Sequence, residues 1–143
     1  MVSRDNARTP MQWNTTANAG FTTGKSWLGI NPNYTRINVE SQKNDLYSIY
    51  SCYKKLIALR KESPAMSRGD LEILPSGSDT LFALKRSFNG EVLLSFHNFS
   101  DKPAEIPETL LPGNAEVLLS SYDRQGGYQG RALRPYESVI FRL

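Results

Sequence analysis

Between Asn44 and Glu62 the apolar residues Leu46, Ile49, Tyr50, Tyr53, Leu56 and Ile57 recur at steps of three and four. That period predicts an amphipathic helix over 44–62. Asn44 or Asp45 can cap its start, and Ser63-Pro64 marks its end, because a residue before proline is pushed out of the helical region. Cys52, Leu56 and Leu59 form a second stripe, so the apolar face is wide enough to touch neighbours on more than one side. From Gly69 onward the period changes to short runs at 71–74, 80–88, 91–98, 104–106, 115–120, 131–133 and 138–142, which read as strands. Asn89-Gly90 joins two of them and is a strong hairpin signal, since both residues tolerate positive φ. Pro107, Pro112-Gly113 and Gly126-Gly127 punctuate the remainder. The pattern predicts a mainly β chain ending in an antiparallel β-sandwich of six to eight strands.

Residues 1–43 behave differently. Pro10, Pro32, three glycines and the turn text Asn31-Pro32-Asn33 leave little room for regular structure. Yet Met11, Trp13, Phe21, Trp27, Leu28, Ile30, Tyr34, Ile37 and Val39 are far too apolar for a solvated linker. The segment is expected to pack on something.

At 143 residues the chain is long enough for a real core without disulfides or metals, but too short for a (β/α)8 barrel of roughly 250 residues. Seventeen basic against 14 acidic residues give a net charge of +3. The basic residues are scattered, with only Lys54-Lys55 and Arg60-Lys61 adjacent, so no nucleic-acid partner is expected. Cys52 is the single cysteine and His97 the single histidine. An internal disulfide is thereby excluded, and no zinc-type cluster and no cofactor motif is present. No stretch approaches the ~20 apolar residues of a membrane span, and the first residues lack a secretory apolar core. A soluble, cytoplasmic, reducing setting with no membrane partner is the expectation.

The densest polar and aromatic text is Ser3-Arg4-Asp5-Asn6-Ala7-Arg8-Thr9-Pro10-Met11-Gln12-Trp13. Two arginines offer planar forks, Asn and Gln offer amide edges, and Trp13 offers a flat apolar face, a set suited to hydroxyl or carboxylate recognition. A surface loop with an Arg4/Asp5 ion pair is the plainer alternative.

These residues also carry a family resemblance. SRDNARTPMQW at 3–13, NAGFTTG at 18–24, INPNYTRINVESQ at 30–42 and YKKLIALRKESPAM at 53–66 together resemble the C-terminal part of oligo-1,6-glucosidases and related α-glucosidases. Those enzymes form part of the α-amylase family, glycoside hydrolase family 13. The resemblance is strong through Met66 and weaker beyond.

It implies a remnant of a (β/α)8 barrel over 1–66, comprising the long loop after the last strand and the last helix, followed by an all-β domain over 67–143. The packing partner of the first segment would then be a barrel domain missing from this chain. The implied chemistry is retaining hydrolysis of short α-linked gluco-oligosaccharides, with all three catalytic carboxylates upstream. No catalytic residue is therefore assigned within the chain, and no metal ligand. Arg8, the arginine of the ARTP element, is implied to close the glucose pocket through an aspartate elsewhere in the barrel, and Arg4 is the second substrate-binding candidate. The family commonly reads MQWD where this chain has Asn14.

Other features have plainer readings. Asp70 and Glu72 share a strand face, and a solvated pair is the commoner fate of such carboxylates. His97 reads as a hydrogen-bonded sandwich residue and Cys52 as a packing residue. Trp13, Trp27 and Tyr34 could stack on sugars but are expected to pack the loop. Asn14, Asn33 and Asn98 head chance glycosylation acceptors. An autonomous carbohydrate-binding module is the alternative to a hydrolase fragment. It would need a surface among Phe82, Phe88, Phe96, Tyr122, Tyr128, Tyr136 and Phe141, most of which are expected to face the core.

Overall fold

The computed structural model describes residues 4–111, 113, 115–122 and 131–143, apart from the side chains of Arg4 and Asn6. Gly126-Gly127, Pro112 and Tyr128 lie outside the described residues. The chain divides into two compact units, Met1–Tyr53 and Lys54–Leu143.

In the first unit the irregular segment is held by side-chain amides. Three 3-10 turns, Arg4–Arg8, Ala17–Gly20 and Pro32–Thr35, precede a short helix α1, Val39–Lys43. Gln12 donates through Nε2 to Asn33 Oδ1 at 2.9 Å and also to the Ile37 carbonyl. Backbone bonds from Val39 N to Gln12 O and from Glu40 N to Trp13 O, each 2.9 Å, fix the same crossing. Asn31 caps the Pro32–Thr35 turn by accepting from Asn33 N at 3.1 Å. The buried Asn38 caps α1 by accepting from Ser41 N at 2.9 Å, and it donates to Tyr34 O at 2.8 Å. Backbone groups that no ladder satisfies are thus paired by Asn and Gln side chains.

The predicted long helix is found as α2, Ile49–Glu62, starting five residues later than the periodicity implied. The intervening residues form a turn in which Asp45 Oδ1 accepts from Tyr47 N at 2.9 Å. Ser48 Oγ there donates to the carbonyls of Gln42 and Asp45, each at 2.8 Å. No residue of α2 is buried, and Ile49, Tyr53 and Ile57 are more than half exposed. Pro64, read as a stop, also opens a new helix α3, Pro64–Arg68, capped by Ser63, whose Oγ accepts from Met66 N at 3.1 Å. Proline suits that first position because its missing N–H has no partner there anyway.

The second unit is the expected antiparallel β-sandwich. Seven strands are present among the described residues: β1 Asp70–Leu74, β2 Leu81–Phe88, β3 Glu91–Asn98, β4 Ala104–Glu105, β5 Glu116–Ser120, β6 Ala132–Leu133 and β7 Ser138–Arg142. One sheet has the order β1-β2-β3-β7-β5, and β4 pairs with β6 in a second. The Asn89-Gly90 hairpin forms as predicted, with φ of 47° and 89° closing the Phe88–Glu91 pair. Leu81, Ala83, Leu94, Phe96, Val139 and Phe141 face Ala104, Ile106 and Leu133 to make the core. Phe96 meets Phe141 edge-on, 6.0 Å between ring centres.

The aromatics do not all join that core. Phe96 and Phe141 do, but Phe82, Tyr122 and Tyr136 are exposed, because strand alternation turns Phe82 to the opposite face. Among the described residues no helix is long and apolar enough to cross a membrane.

Candidate functional site

The polar text at the start of the first unit is shaped by a tight loop. Trp13 N and Asn14 N both donate to Ala19 O, at 2.9 and 3.2 Å. The chain reverses through Asn18, Ala19 and Gly20, all with φ between 54° and 66°. A Cβ on Gly20 would meet Asn14 Oδ1 at 2.5 Å, so glycine is required there both for its φ and for this approach.

Asn14 itself acts as an acceptor. Its Oδ1 takes Thr16 N at 3.0 Å and Thr16 Oγ1 at 2.6 Å, an Asx turn. An aspartate would supply the same oxygen, so the departure from MQWD leaves this local bonding intact. Asn14→Asp is expected to change stability by less than ~0.5 kcal/mol and Asn14→Ala to cost about 1 kcal/mol. Urea unfolding followed by the emission of the neighbouring Trp13 measures both.

Arg8 ends the Arg4–Arg8 turn with an exposed side chain. Its guanidinium lies 5.1 Å from the centre of the Trp27 ring, and Nη1 lies 4.0 Å from Asp5 Oδ1. Ser26 Oγ donates to Leu28 O at 2.7 Å, closing a bend that presents Trp27 with 85% of its surface exposed. A cation on an indole face gains about 0.5–1 kcal/mol when exposed, enough to bias the Arg8 rotamer while leaving N–H donors for a hydroxyl or carboxylate. The structure brings Arg8, Asp5 and Trp27 together; the side chain of Arg4 lies outside the description. Sequence reading assigned Trp27 to packing. Nothing local links positions 19 residues apart, and only the small residues around the bend hinted at the turn.

The remaining candidates resolve into structural roles. Glu72 pairs with Lys85 at 3.1 Å on a solvated strand. His97 sits 3.0 Å from Ser138 Oγ and 3.3 Å from Ser95 Oγ, and burial pushes its pKa down, so the ring is neutral at pH 7. Tyr122 donates its hydroxyl to Pro135 O at 2.9 Å, and Arg134 lies over its ring at 5.3 Å, so both its polar and flat surfaces are engaged. The Asn98 side chain is buried and bonds Lys102 O, Arg134 O, Ser100 N and Ser100 Oγ, leaving no amide for glycosylation in the folded chain. Among the described residues no group of three His, Cys, Asp or Glu side chains is placed to hold a metal.

Comparison with known proteins adds a whole-chain correspondence. The alpha-amylase catalytic-domain family matches residues 1–69. An oligo-1,6-glucosidase of Halalkalibacterium halodurans is 42% identical over 96% of this chain and 25% of its own length. A trehalose-6-phosphate hydrolase of Bacillus subtilis is 41% identical over 99% of this chain and 26% of its own length. The crystal structure of a trehalulose synthase from Pseudomonas mesoacidophila MX-45 aligns with a TM-score of 0.84 at 41% identity, over 98% of this chain and 26% of that one. The chain spans about a quarter of the length of these relatives.

Proposed function

Taking as premise that the chain belongs to the alpha-amylase family, glycoside hydrolase family 13, we propose that it is the C-terminal part of a retaining α-glucosidase acting on short α-linked gluco-oligosaccharides. In this reading residues 1–66 complete a (β/α)8 barrel and residues 67–143 are an all-β domain that covers one side of it. The nucleophile and acid/base carboxylates come from the rest of the polypeptide, so the isolated chain is hydrolytically silent. Its own contribution to the pocket is Arg8, with Arg4 as a second positioning group. A cytoplasmic location belongs to the same proposal, supported by the single unpaired Cys52.

The observation that carries this reading is a 41–42% identity that runs through almost all of this chain and stops at a quarter of its relatives. The geometry at Arg8 supports the positioning role: a guanidinium steadied by an indole face and beside a carboxylate, yet open to solvent, is prepared to bind a polar ligand without reorganising. The pair lacks a nucleophile with an adjacent base, which fits a group that orients substrate and performs no bond cleavage.

The test is glucose release. The purified chain with isomaltose, maltose or trehalose 6-phosphate is expected to release none, and measurable release would overturn the proposal. A chimera in which this chain replaces the matching quarter of the Bacillus cereus oligo-1,6-glucosidase, to which it is 41% identical, is expected to release glucose. Arg8→Ala in that chimera should lower kcat/KM by about 100-fold. A chimera of unchanged kcat/KM would remove Arg8 from the pocket.

A further inference from the structure

The end of α3 and the turned end of β2 and β3 frame an open cleft of about 470 Å³, lined by Arg68, Asp70, Ser87, Phe88, Asn89 and Gly90. Its walls are fixed by the fold. Arg86 donates to the Gly69 carbonyl at 2.8 Å, Asp70 pairs in register with Ser87, and Phe88 pairs with Glu91 across the Asn89-Gly90 turn. A Cβ on Gly69 would collide with the Ala65 carbonyl oxygen and approach that of Ser87 to 3.0 Å, so glycine is what lets α3 end directly against β2. β1 is an edge strand. Strand alternation turns Asp70 and Ser87 to one face of the sheet and Phe88, under Arg68, to the other. The cleft wraps the free edge and takes side chains from both faces.

The polar groups that line it are unspent. Among the described residues the side chains of Asp70, Ser87 and Asn89 make no hydrogen bond or ion pair, and Arg68 makes only its contact with the Phe88 ring, 5.0 Å from the ring centre. Elsewhere in this unit opposite charges on facing strands do pair, Glu72 with Lys85 at 3.1 Å and Glu116 with Arg142 at 3.2 Å. Arg68 and Asp70 line one cleft without pairing. Their fields cancel at a distance, so neither an anion nor a cation is drawn in selectively. Close up, a guanidinium, a carboxylate, an amide and a hydroxyl offer both donors and acceptors. A ligand that satisfies them all must be uncharged and carry several groups that donate as well as accept, which describes the hydroxyls of a sugar. The volume lies within the range of small-ligand clefts, roughly 300–1,000 Å³, and the Phe88 ring steadies the Arg68 donors before any ligand arrives. We propose that this cleft, wholly within the second unit, is a binding site for a neutral sugar. The choice of α-linked glucose units as that sugar rests on the reading of the chain as part of an α-glucosidase; the preference for an uncharged polyhydroxyl ligand does not.

The experiment is titration of the isotope-labelled chain with isomaltose and with maltose, followed by amide shifts. Both sugars are expected to move the signals of residues 68–70 and 87–90 together, with a dissociation constant of about 1 mM or weaker. Asp70→Ala is expected to weaken that binding by about tenfold or more, since it removes a charged acceptor. Should Asp70→Ala disturb β1, Asn89→Gly gives an independent reading: it keeps the positive-φ turn and is expected to weaken binding by about threefold. No shift in the cleft at sugar concentrations on the order of tens of millimolar, or shifts confined to the first unit, would overturn the proposal and leave the Arg8 reading standing. Inorganic phosphate moving the same signals more than the sugars do, with the response lost in Arg68→Ala, would make the cleft an anion site; glycine doing so would make it a zwitterion site. Either overturns the proposal. In the Bacillus cereus chimera, Asp70→Ala is expected to leave kcat/KM for isomaltose unchanged, and a fall as large as that of Arg8→Ala would place Asp70 in the reacting pocket and overturn it too. A chimera that releases no glucose would remove the enzymatic reading and leave the sugar shifts in the cleft as they stand.

Discussion

Replacing Glu91 by alanine is expected to destabilise the β-rich unit by about 2–3 kcal/mol, a fall of roughly 10 °C in its midpoint for a unit of this size. Glu91 begins β3, yet its carboxylate reaches the start of α3. Oε1 accepts from Ser63 Oγ at 2.7 Å and Oε2 from Ala65 N at 2.9 Å. Ser63 and Ala65 are both buried, so removing the carboxylate leaves two donors that water reaches poorly. The other end of α3 is held from β2, where Arg86 Nε and Nη2 donate to the carbonyls of Ala65 and Gly69, each at 2.8 Å. Anion at the start and cation at the end match the charges of the unpaired backbone groups.

The same contact gives a pH signature. The Ala65 N–H bond, then the Ser63 hydroxyl and, more weakly, the Arg142 charge hold the Glu91 carboxyl below its ordinary value of 4.5, against the opposing effect of burial. A depressed folded-state pKa means the stabilisation is fully present above 4.5 and is lost as pH falls below that value. Denaturation midpoints measured from pH 6 down to pH 3 should therefore fall for the parent chain and fall less for Glu91→Gln. Parallel pH profiles would show that the carboxylate contributes no such linkage.

How far the sequence anticipated this architecture depends on whether the relevant signal is local. The β2–β3 hairpin was legible because Asn89 and Gly90 carry the turn themselves. The strands were legible because each run is bounded by turn residues, and their boundaries agree closely with β1–β7. Helix α3 was not, because Pro64 is at once the commonest stop signal and a favoured first residue, and what decides between the two is Glu91, 27 residues away. The start of α2 was misplaced because Asp45 and Ser48 spend their side chains on a turn. In the first segment the order comes from the long-range amide bonds of Gln12 and the local ones of Asn14, Asn18 and Asn38, none of which has a period to read. Arg8 was found only through its motif, and its approach to Trp27 is a tertiary fact.

The second large effect separates the two faces of one sheet. Phe96→Ala is expected to cost about 3–5 kcal/mol, whereas Phe82→Ser should cost less than ~1 kcal/mol, although both residues are phenylalanines on adjacent strands. Phe96 is wholly buried, paired in register with Ala83 and Val139 and edge-on to Phe141. Its removal opens a cavity in a core that cannot collapse without moving three strands, and it forfeits an aromatic contact of ~1 kcal/mol. For a unit with a total stability in the usual range of roughly 5–15 kcal/mol, that loss approaches unfolding at 37 °C. Phe82 lies opposite His97 and Ser138 is opposite His97 in turn, so its neighbours are on the sheet face opposite Phe96 and its loss leaves no cavity. Urea unfolding of the two variants, followed by amide dispersion as well as by fluorescence, distinguishes them. Comparable losses would mean that Phe82 is part of a second core.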